Sequence, residues 1–272
     1  MSDDYIISVH DHGFVRLVDT MGDDDAIVQA ARVSYGEGTE TKSSTESLIR
    51  YLMRHRHTSP FEMCEIKLHI KCPIFIARQW VRHRTASMNE VSGRYSVLPE
   101  EMYLPEPEYL QPQSDSNKQG RSGYFSEDEA RAILEEMDGV TSDAYESYTE
   151  LLGSNLSREL ARIVLPLSTY TEFYWKIDLH NLLHFLRLRL DEHAQKEIRD
   201  YAVAIAEIVT EWVPITWTAF EDYVLNAYTL SAGEIQRLRA EFCGEGPGTG
   251  EVIPFSKREE AAFAKFMEMI NQ

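Results

Sequence analysis

The residues best suited to chemistry in this chain lie in one short run, from Arg82 to Tyr95. Several cations share this run with small polar residues, and only Glu90 opposes their charge. Guanidinium groups donate paired hydrogen bonds to phosphate and carboxylate oxygens, and small residues let backbone N–H groups approach an anion closely. The cationic and small residues in and just before the run are Arg78, Arg82, Arg84, Ser87, Ser92, Gly93 and Arg94. We therefore expect an anion-binding site for a small phosphorylated molecule.

The acidic background of the chain narrows the possible partners. Its 272 residues carry a formal net charge of -18 at pH 7, whereas broad nucleic-acid binding needs an extended basic surface. No run reaches the roughly 18 apolar residues of a membrane span, and the first residues lack a signal-peptide pattern. Cys64, Cys72 and Cys243 have neither C-x-x-C nor zinc-finger spacing, which is typical of reduced thiols. We expect a cytoplasmic protein with no nucleic-acid or membrane partner.

Helix signals dominate the chain. Four Ser-x-x-Glu pairs have the spacing of a capping box, in which each partner satisfies a free N–H group at the start of a helix. These pairs begin at Ser43, Ser126, Ser231 and Ser256. Apolar periodicity between such signals predicts a series of amphipathic helices. The predicted helices span 24–35, 43–57, 73–85, 126–137, 142–153, 178–192, 196–211, 214–226, 231–241 and 256–271.

Strand signals are fewer. Residues 63–71 alternate between apolar and polar side chains, and residues 170–177 are rich in aromatic and β-branched side chains. Both patterns are typical of strands. We expect these two segments to pair, with further strands near 5–18 and 95–104. The fold class is therefore α+β, mostly helical, with a small antiparallel sheet.

The distribution of loops predicts one main domain and an extension. The polar, proline-containing stretch 105–125 predicts a surface loop. The glycine-rich residues 244–250 match no phosphate-binding motif, and their internal proline favours a linker. We expect a single domain over 1–229, followed by a helical extension over 230–272 that contains this linker.

A second constellation follows the segment 170–177. The polar face of the helix predicted there is formed by His180, His184, Arg187 and Asp191, while leucines form the core stripe. Histidines at i and i+4 are able to ligate a metal, and a nearby carboxylate would complete a hydrolase site. The second position of an H-E-x-x-H motif is Asn181 here, which favours surface histidines, or histidines hydrogen-bonded to a cofactor, over metal ligands.

Several blocks of the chain resemble one known family. The run Arg82-His83-Arg84-x-x-Ser87-x-Asn89-Glu90-x-Ser92-x-Arg94-Tyr95 resembles the signature of flavin-dependent thymidylate synthases. Further blocks that resemble this family in the expected order are Ala30–Ser34, His57–Glu62, Pro73–Trp80, Ala161–Pro166 and Leu188–Gln195. The resemblance covers residues 5–228, and the tail from 230 has no counterpart in it.

The resemblance implies the flavin-dependent thymidylate synthase fold and the reductive methylation of dUMP to dTMP in de novo dTMP biosynthesis. Methylenetetrahydrofolate would give the carbon, and NADPH would reduce a bound FAD that supplies the hydride. The resemblance also implies a homotetramer whose active sites combine residues from several subunits. All of these ligands are anions, which agrees with the clustered arginines.

Site residues carry over from the family position by position. Those expected to bind dUMP are Gln79, Arg82, Glu90, Val91, Ser92, Gly93, Arg94, Arg162 and Arg189. Those expected to contact FAD are Ser59, Arg82, His83, Arg84, Glu90, Asp178, His180 and His184, and His57 is expected near the folate and flavin rings. Arg189 is the expected catalytic residue, because its fixed positive charge beside the uracil would stabilise the anion formed at N3. We expect no bound metal and no cysteine adduct.

The chain departs from the family at two places, and the first is Met63, where the family has the final histidine of the block that begins at His57. Where the family often has Asn-x-Arg and a second Asn four positions on, this chain has Asp178, His180 and His184. An acid in place of an amide changes the hydrogen bonding, because an ionised carboxylate accepts hydrogen bonds and donates none.

Two other classes of protein stay open at this point. A metal-dependent hydrolase would use His180, His184 and Asp191, and chelators would inhibit it. A non-enzymatic RNA-binding module would use the segment from Arg78 to Arg94, and salt would weaken its binding. Both alternatives require the long signature match to be accidental.

Overall fold

Alternating apolar side chains build a five-stranded antiparallel sheet. The structure is a computed structural model that describes residues 5–33, 43–115, 120–243 and 255–270. Ile66, Leu68 and Ile70 are buried on one face of the third strand, and the residues between them are more exposed, as expected for a half-buried strand. The strands are β1 (Ile6–Val9), β2 (Gly13–Met21), β3 (Glu65–Pro73), β4 (Ser87–Glu90) and β5 (Tyr170–Asp178), and their order across the sheet is β1-β2-β3-β5-β4.

The sheet confirms the α+β class and the predicted pairing of the two strongest strands. β3 and β5 pair along their whole lengths, from Glu65 opposite Asp178 to Pro73 opposite Tyr170. The segment predicted as extended over 5–18 forms most of the hairpin β1–β2.

One predicted strand is wrong, and one strand was not predicted. The segment 95–104 is irregular because the chain turns at its start, where the Ser92 carbonyl accepts hydrogen bonds from the Tyr95 and Ser96 amides. Met102 makes an isolated bridge to the residue before β5. The edge strand is instead β4, which lies inside the run from Arg82 to Tyr95 and pairs with β5. This pairing fixes the predicted anion-binding run, Arg82–Tyr95, against the sheet.

In the part of the chain that contains the sheet, helices pack around it and carry several of the predicted site residues. The described α-helices are α1 (Asp24–Arg32), α2 (Thr45–Arg54), α3 (Ile74–Trp80), α4 (Glu127–Gly153), α5 (Arg158–Ala161), α6 (Leu179–Arg189), α7 (Lys196–Trp212), α8 (Pro214–Phe220), α9 (Ala232–Cys243) and α10 (Lys257–Ile270). A π-helical turn, Glu221–Leu225, continues α8.

Three helix predictions need correction. α3 ends at Trp80 rather than at 85, because the chain enters a turn at Val81 that leads to β4. α4 is continuous where two helices were predicted, because Gly139 interrupts neither its hydrogen bonding nor its course. An internal glycine costs only about 1 kcal/mol relative to alanine, which a helix of this length tolerates. The helix predicted over 214–226 changes to π-helical geometry after Phe220.

Other predicted helix ends differ by a few residues. α2 and α6 end at Arg54 and Arg189 rather than at 57 and 192. Residues 34 and 35 of the first predicted helix, residue 271 of the last one and the predicted linker 244–250 lie outside the described residues.

The predicted capping pairs are confirmed at three helices. In each, the serine hydroxyl accepts a hydrogen bond from the glutamate N–H, and the glutamate side chain accepts one from the serine N–H. The confirmed pairs are Ser126–Glu129, Ser231–Glu234 and Ser256–Glu259. The pair predicted at Ser43 and Glu46 is wrong, because Ser44 caps α2 by accepting a hydrogen bond from the Ser47 N–H.

An aromatic cluster joins the sheet to three helices. The Trp80 ring of α3 meets Phe173 and Trp175 of β5 edge-on, with centroids 5.4 and 5.3 Å apart. Phe185 of α6 lies 5.0 Å from Trp80, and Tyr201 of α7 lies 5.9 Å from it. All five side chains are buried. Because aromatic pairs of this kind stabilise a fold beyond their buried area, α3 and α6 are held firmly against β5.

A buried carboxylate links the beginning of this fold to its end. Asp24, in the first turn of α1, accepts hydrogen bonds from the Ile215 amide, the Thr216 amide and the Thr216 hydroxyl, at 2.9, 3.0 and 2.6 Å. The two amides lie in the first turn of α8 and have no partner inside that helix. Since Asp24 is only 8% exposed, it caps α8 from the interior of the protein.

The chain divides into two units, Met1–Leu225 and Asn226–Gln272. The larger unit contains the sheet and every predicted site residue. In the smaller unit, Arg237 donates hydrogen bonds to Glu260 at 2.7 and 2.8 Å and lies 3.7 Å from the centre of the Phe255 ring. The functional boundary at 229 stays a prediction.

Candidate active site

Strand β5 and helix α6 position the second constellation. Asp178 ends β5 and caps α6, because its carboxylate accepts hydrogen bonds from the backbone and side-chain N–H groups of Asn181, at 2.9 and 2.7 Å. Buried leucines occupy one face of α6. The opposite face therefore carries the polar side chains toward a cavity. The Asp178 carboxylate is engaged in the hydrogen bonds that cap α6.

Arg189 is the last residue of α6 and is held against His83. Its Nε donates a hydrogen bond to Nε2 of His83 over 3.1 Å. Burial, and then the nearby Arg189 and His184, lower the pKa of His83 to about 4, so the imidazole is neutral at pH 7 and able to accept this bond. Burial also lowers the pKa of Arg189. Within the described part of the chain, Arg189 forms no salt bridge with a carboxylate.

A small cavity beside α6 collects basic side chains. His180, His184 and Arg187 line it from α6, and Arg56 and His57 line it from the segment after α2. Its volume is about 200 Å³. The predicted polar face of α6 is thus confirmed for these three residues. The basic wall is suited to an anionic part of a ligand.

Asp191 does not belong to the polar face of α6, because the helix ends two residues earlier. Its carboxylate accepts hydrogen bonds from the backbone and ring nitrogens of His193, at 2.8 and 2.9 Å. Among the described residues, no group of three or more His, Cys, Asp or Glu side chains is placed to hold a metal ion.

A larger cavity lies next to the small one. α1, α2 and the segment after α2 line it, and its volume is about 1110 Å³. Ser59 lies on its wall, and His57 lines both cavities. Cavities that bind drug-sized ligands measure roughly 300–1,000 Å³. The larger cavity therefore has room for a ligand of dinucleotide size.

The predicted anion-binding run contacts Arg162 at Gly93. A Cβ added to Gly93 would lie 3.1 Å from Cδ of Arg162 and 3.2 Å from Cδ1 of Leu98, so the glycine allows a close approach. The next residue, Arg94, donates a hydrogen bond from Nε to Glu159 at 3.2 Å, and both of these side chains are 53% exposed. The turn therefore brings two arginines to one glycine.

Arg94 also lines a third cavity, of about 550 Å³, together with Ser157 and Arg158. The Ser92 hydroxyl oxygen accepts a hydrogen bond from the Arg94 N–H at 3.3 Å, which holds the turn. An anion that enters this cavity would compete with Glu159 for the Arg94 guanidinium.

Gln79 and Glu90 have hydrogen-bond partners that were not predicted from the sequence. The Gln79 side chain donates a hydrogen bond to Gln195 at 2.6 Å, and the Glu90 carboxylate accepts one from the Thr171 hydroxyl at 2.6 Å. Gln195 ends the block Leu188–Gln195, which resembles the family, and this resemblance could have indicated that Gln195 belongs to the site. Thr171 approaches Glu90 through the pairing of β4 with β5, which no local pattern reveals.

The remaining predicted residues of the run are exposed in the single chain. Arg82 and Arg84 lie just after the end of α3, and both side chains are exposed. Val91 is exposed, and its N–H donates to the Glu172 carbonyl of β5 at 2.9 Å. The burial of α3 does not extend to these residues because the helix ends at Trp80.

Cys64 and Cys72 are buried free thiols. Burial raises the pKa of Cys64 to about 11 and holds that of Cys72 well above its usual value. A thiol must ionise to act as a nucleophile, so neither residue is suited to form an adduct.

None of the helices that the structure describes is long and apolar enough to span a membrane.

Comparison with known proteins identifies the class of enzyme to which this fold and site belong. The family described as thymidylate synthase complementing protein matches residues 16–215, and the chain belongs to this family. A flavin-dependent thymidylate synthase from Gluconobacter oxydans is 56% identical over 263 residues, which cover 96% of this chain and 86% of the relative. A flavin-dependent thymidylate synthase from Thermus thermophilus is 60% identical over 233 residues, covering 86% and 84%. The family resemblance is thus confirmed.

A solved structure confirms the fold class. The crystal structure of the UMP/dUMP methylase PolB from Streptomyces cacaoi, bound with 5-Br UMP, matches this chain with a TM-score of 0.72 and 36% identity. The match covers 80% of this chain and 98% of PolB. A second structure of PolB is bound with 5-Br dUMP and matches with the same TM-score.

Proposed function

We propose that this chain is a methyltransferase that converts dUMP to dTMP as a flavin-dependent thymidylate synthase, in de novo dTMP biosynthesis. Methylenetetrahydrofolate gives the carbon and NADPH gives the electrons, and tetrahydrofolate and NADP⁺ are the other products. The observation that carries the proposal is the half-buried Arg189, which is held by a neutral imidazole rather than by a carboxylate. A guanidinium that is partly removed from water needs an anionic partner. The ionised uracil of dUMP provides one.

Arg189 is the catalytic residue in this proposal. It stabilises the negative charge that forms on the uracil ring when the N3–H bond breaks and the proton leaves to water. This charge makes C5 of the ring more nucleophilic toward the methylene carbon. Arginine suits the role because its guanidinium stays charged even where burial lowers its pKa.

The turn after β4 binds the nucleotide. Gly93 lets Arg162 pack against the turn, and Arg94 extends beside it toward the third cavity, so two guanidinium groups are available to a phosphate. The binding of 5-Br UMP and 5-Br dUMP by PolB supports a uridine nucleotide as the ligand. The proposed dUMP-binding residues are Gln79, Arg82, Glu90, Val91, Ser92, Gly93, Arg94, Arg162 and Arg189.

The two cavities that share His57 fit a bound FAD. The basic wall of the smaller cavity complements its negative charge, and the larger cavity provides the volume. FAD, when bound, supplies the hydride that completes the methyl group. The residues proposed to hold it are Ser59, Arg82, His83, Arg84, Glu90, His180 and His184. Asp178 contributes by capping α6, which carries the last two of these residues.

We also propose a homotetramer with shared active sites, located in the cytoplasm. Arg82 and Arg84 are exposed in the single chain, and a site that combines subunits would bring these charges to a ligand. The free thiols Cys64 and Cys72 agree with a reducing compartment. A monomer in light scattering that is fully active would contradict the tetramer.

The proposal is tested by the visible spectrum of the purified protein, followed without oxygen after NADPH is added, with and without dUMP. We expect a yellow protein that NADPH bleaches and that forms dTMP once methylenetetrahydrofolate is supplied. A colourless protein that takes up no FAD, or a reducible flavoprotein that makes no dTMP, would overturn the proposal.

A further inference from the structure

We propose that His83 is a positioning residue for Arg189: it accepts the Nε hydrogen bond and thereby fixes the guanidinium, leaving both terminal nitrogens for the nucleotide. This inference rests on the proposed function, because it assigns Arg189 the uracil of dUMP as its ligand. His83 acts here through Arg189, in addition to its proposed contact with FAD.

The His83 ring is itself held in place. The Phe185 ring lies edge-on to it, with centroids 4.8 Å apart and planes at 72°. Phe185 is fully buried and packs against Trp80. The His83 backbone N–H donates to the Trp80 carbonyl at 3.0 Å. Both the imidazole and the backbone of His83 are therefore fixed by the aromatic cluster, and this rigidity passes to Arg189 through a single hydrogen bond of 3.1 Å.

The chemistry of the pair favours a neutral acceptor. To accept at Nε2, the imidazole must carry its proton on Nδ1. The charged and titratable groups that face His83 are Arg189 and His184, so a protonated His83 would repel Arg189 instead of holding it. A carboxylate in this place would also hold Arg189, but it would neutralise the positive charge that a uracil anion needs. A neutral imidazole orients the arginine and leaves its charge to the substrate.

The test uses the holoenzyme with oxidised flavin and 5-fluoro-dUMP. The ¹⁹F signal of this probe reports the ionisation of N3. Following the signal as a function of pH gives the midpoint for this ionisation. Three variants are compared with the wild type. His83→Leu removes the acceptor, His83→Gln retains one, and His12→Leu is a control in the turn between β1 and β2.

We expect His83→Leu to raise the midpoint for N3 ionisation by about one pH unit and to lower kcat about tenfold, as for the loss of one hydrogen bond to a charged group. His83→Gln should recover most of both effects, and His12→Leu should match the wild type. A purely structural role for His83 would change the stability of the protein without moving the ionisation of the bound nucleotide.

Two results would overturn the inference. One is a His83→Leu protein that retains its flavin and binds the probe, but has the same midpoint for N3 ionisation as the wild type. The other is a His83→Gln protein that behaves as His83→Leu does. If His83→Leu loses its flavin, ¹⁵N spectra of histidine-labelled wild type decide: a proton on Nδ1 of His83 supports the inference, and a proton on Nε2 overturns it. A wild-type holoenzyme that binds no 5-fluoro-dUMP would instead overturn the proposed function.

Discussion

Arg189 and Arg94 are proposed to meet the same nucleotide, but their surroundings differ. Arg189 is half buried, ends a helix that the aromatic cluster holds, and bonds to a neutral imidazole. Arg94 is 53% exposed, lies on a turn and pairs with Glu159. Water competes little for a partly buried cation, whereas it screens an exposed one. We infer that the arginine fixed by the core stabilises the transition state and that the exposed arginine contributes to binding.

The largest effect is expected from Arg189→Lys. Lysine keeps the charge but loses the rigid fork and the Nε donor that His83 accepts. We expect kcat to fall about a hundredfold to a thousandfold, the effect of losing a donor aimed at developing charge. Flavin content and thermal unfolding should stay close to the wild type, and Arg131→Lys on the exposed side of α4 should be fully active. Wild-type turnover by Arg189→Lys would remove the distinction between the two arginines.

A smaller effect is expected from Gly93→Ala. The added methyl group would crowd Arg162 and Leu98 at 3.1 and 3.2 Å, which displaces the turn that carries Arg94. Overpacking of this kind costs about 1–3 kcal/mol, so we expect the KM for dUMP to rise about tenfold or more. Gly139→Ala is the matched control, because a Cβ added at Gly139 would meet nothing within 4 Å in the described part of the chain, apart from its own turn of helix. If Gly93→Ala and Gly139→Ala have the same KM for dUMP, the turn accommodates the added methyl group and the inference is wrong.

Glu159→Gln should have a still smaller and opposite effect. The variant removes the carboxylate that competes with the nucleotide phosphate for Arg94. Exposed ion pairs contribute about 0.2–1 kcal/mol, so we expect the KM for dUMP to fall about twofold to fivefold, with little change in thermal unfolding. The gain should shrink as salt concentration rises. A higher KM would instead show that Glu159 holds Arg94 in its binding position.

A separate effect concerns the pH dependence of stability rather than the activity. The pKa of His83 in the folded protein is about 4, below the value of about 6.5 in an unfolded chain. Between these two values the unfolded chain takes up a proton that the folded protein does not, so stability falls as the pH falls through this window. We expect the urea midpoint to drop more for the wild type than for His83→Gln between pH 7 and pH 5. Equal drops would show that His83 protonates freely in the fold.

Local pattern was sufficient to predict the elements that decide the fold class. The alternation in β3, the aromatic and β-branched content of β5 and three of the capping pairs each identified an element without knowledge of its neighbours. β4 escaped prediction because its residues are mostly exposed and lack apolar alternation. It exists because β5 pairs with it.

The candidate site shows the same limit. The family resemblance selected Arg94, Gln79, Arg189 and His83 from the sequence, but it did not predict which side chains contact one another. Glu159 lies 65 residues from Arg94, Gln195 lies 116 residues from Gln79, and His83 lies 106 residues from Arg189. Contacts over such separations depend on how the helices and strands pack, which no local pattern contains.

The cap that Asp24 provides for α8 sets an order for folding during synthesis. Asp24 leaves the ribosome long before its partners, which lie 191 and 192 residues further along the chain. Until they emerge, the carboxylate must keep its water, because burying an unpaired charge is strongly unfavourable. α1 therefore completes its packing only when translation of the larger unit is nearly finished. A chain that stalls before residue 215 would keep the contact of α1 with α2, but α1 would lack its contact with α8 and Asp24 would stay in water.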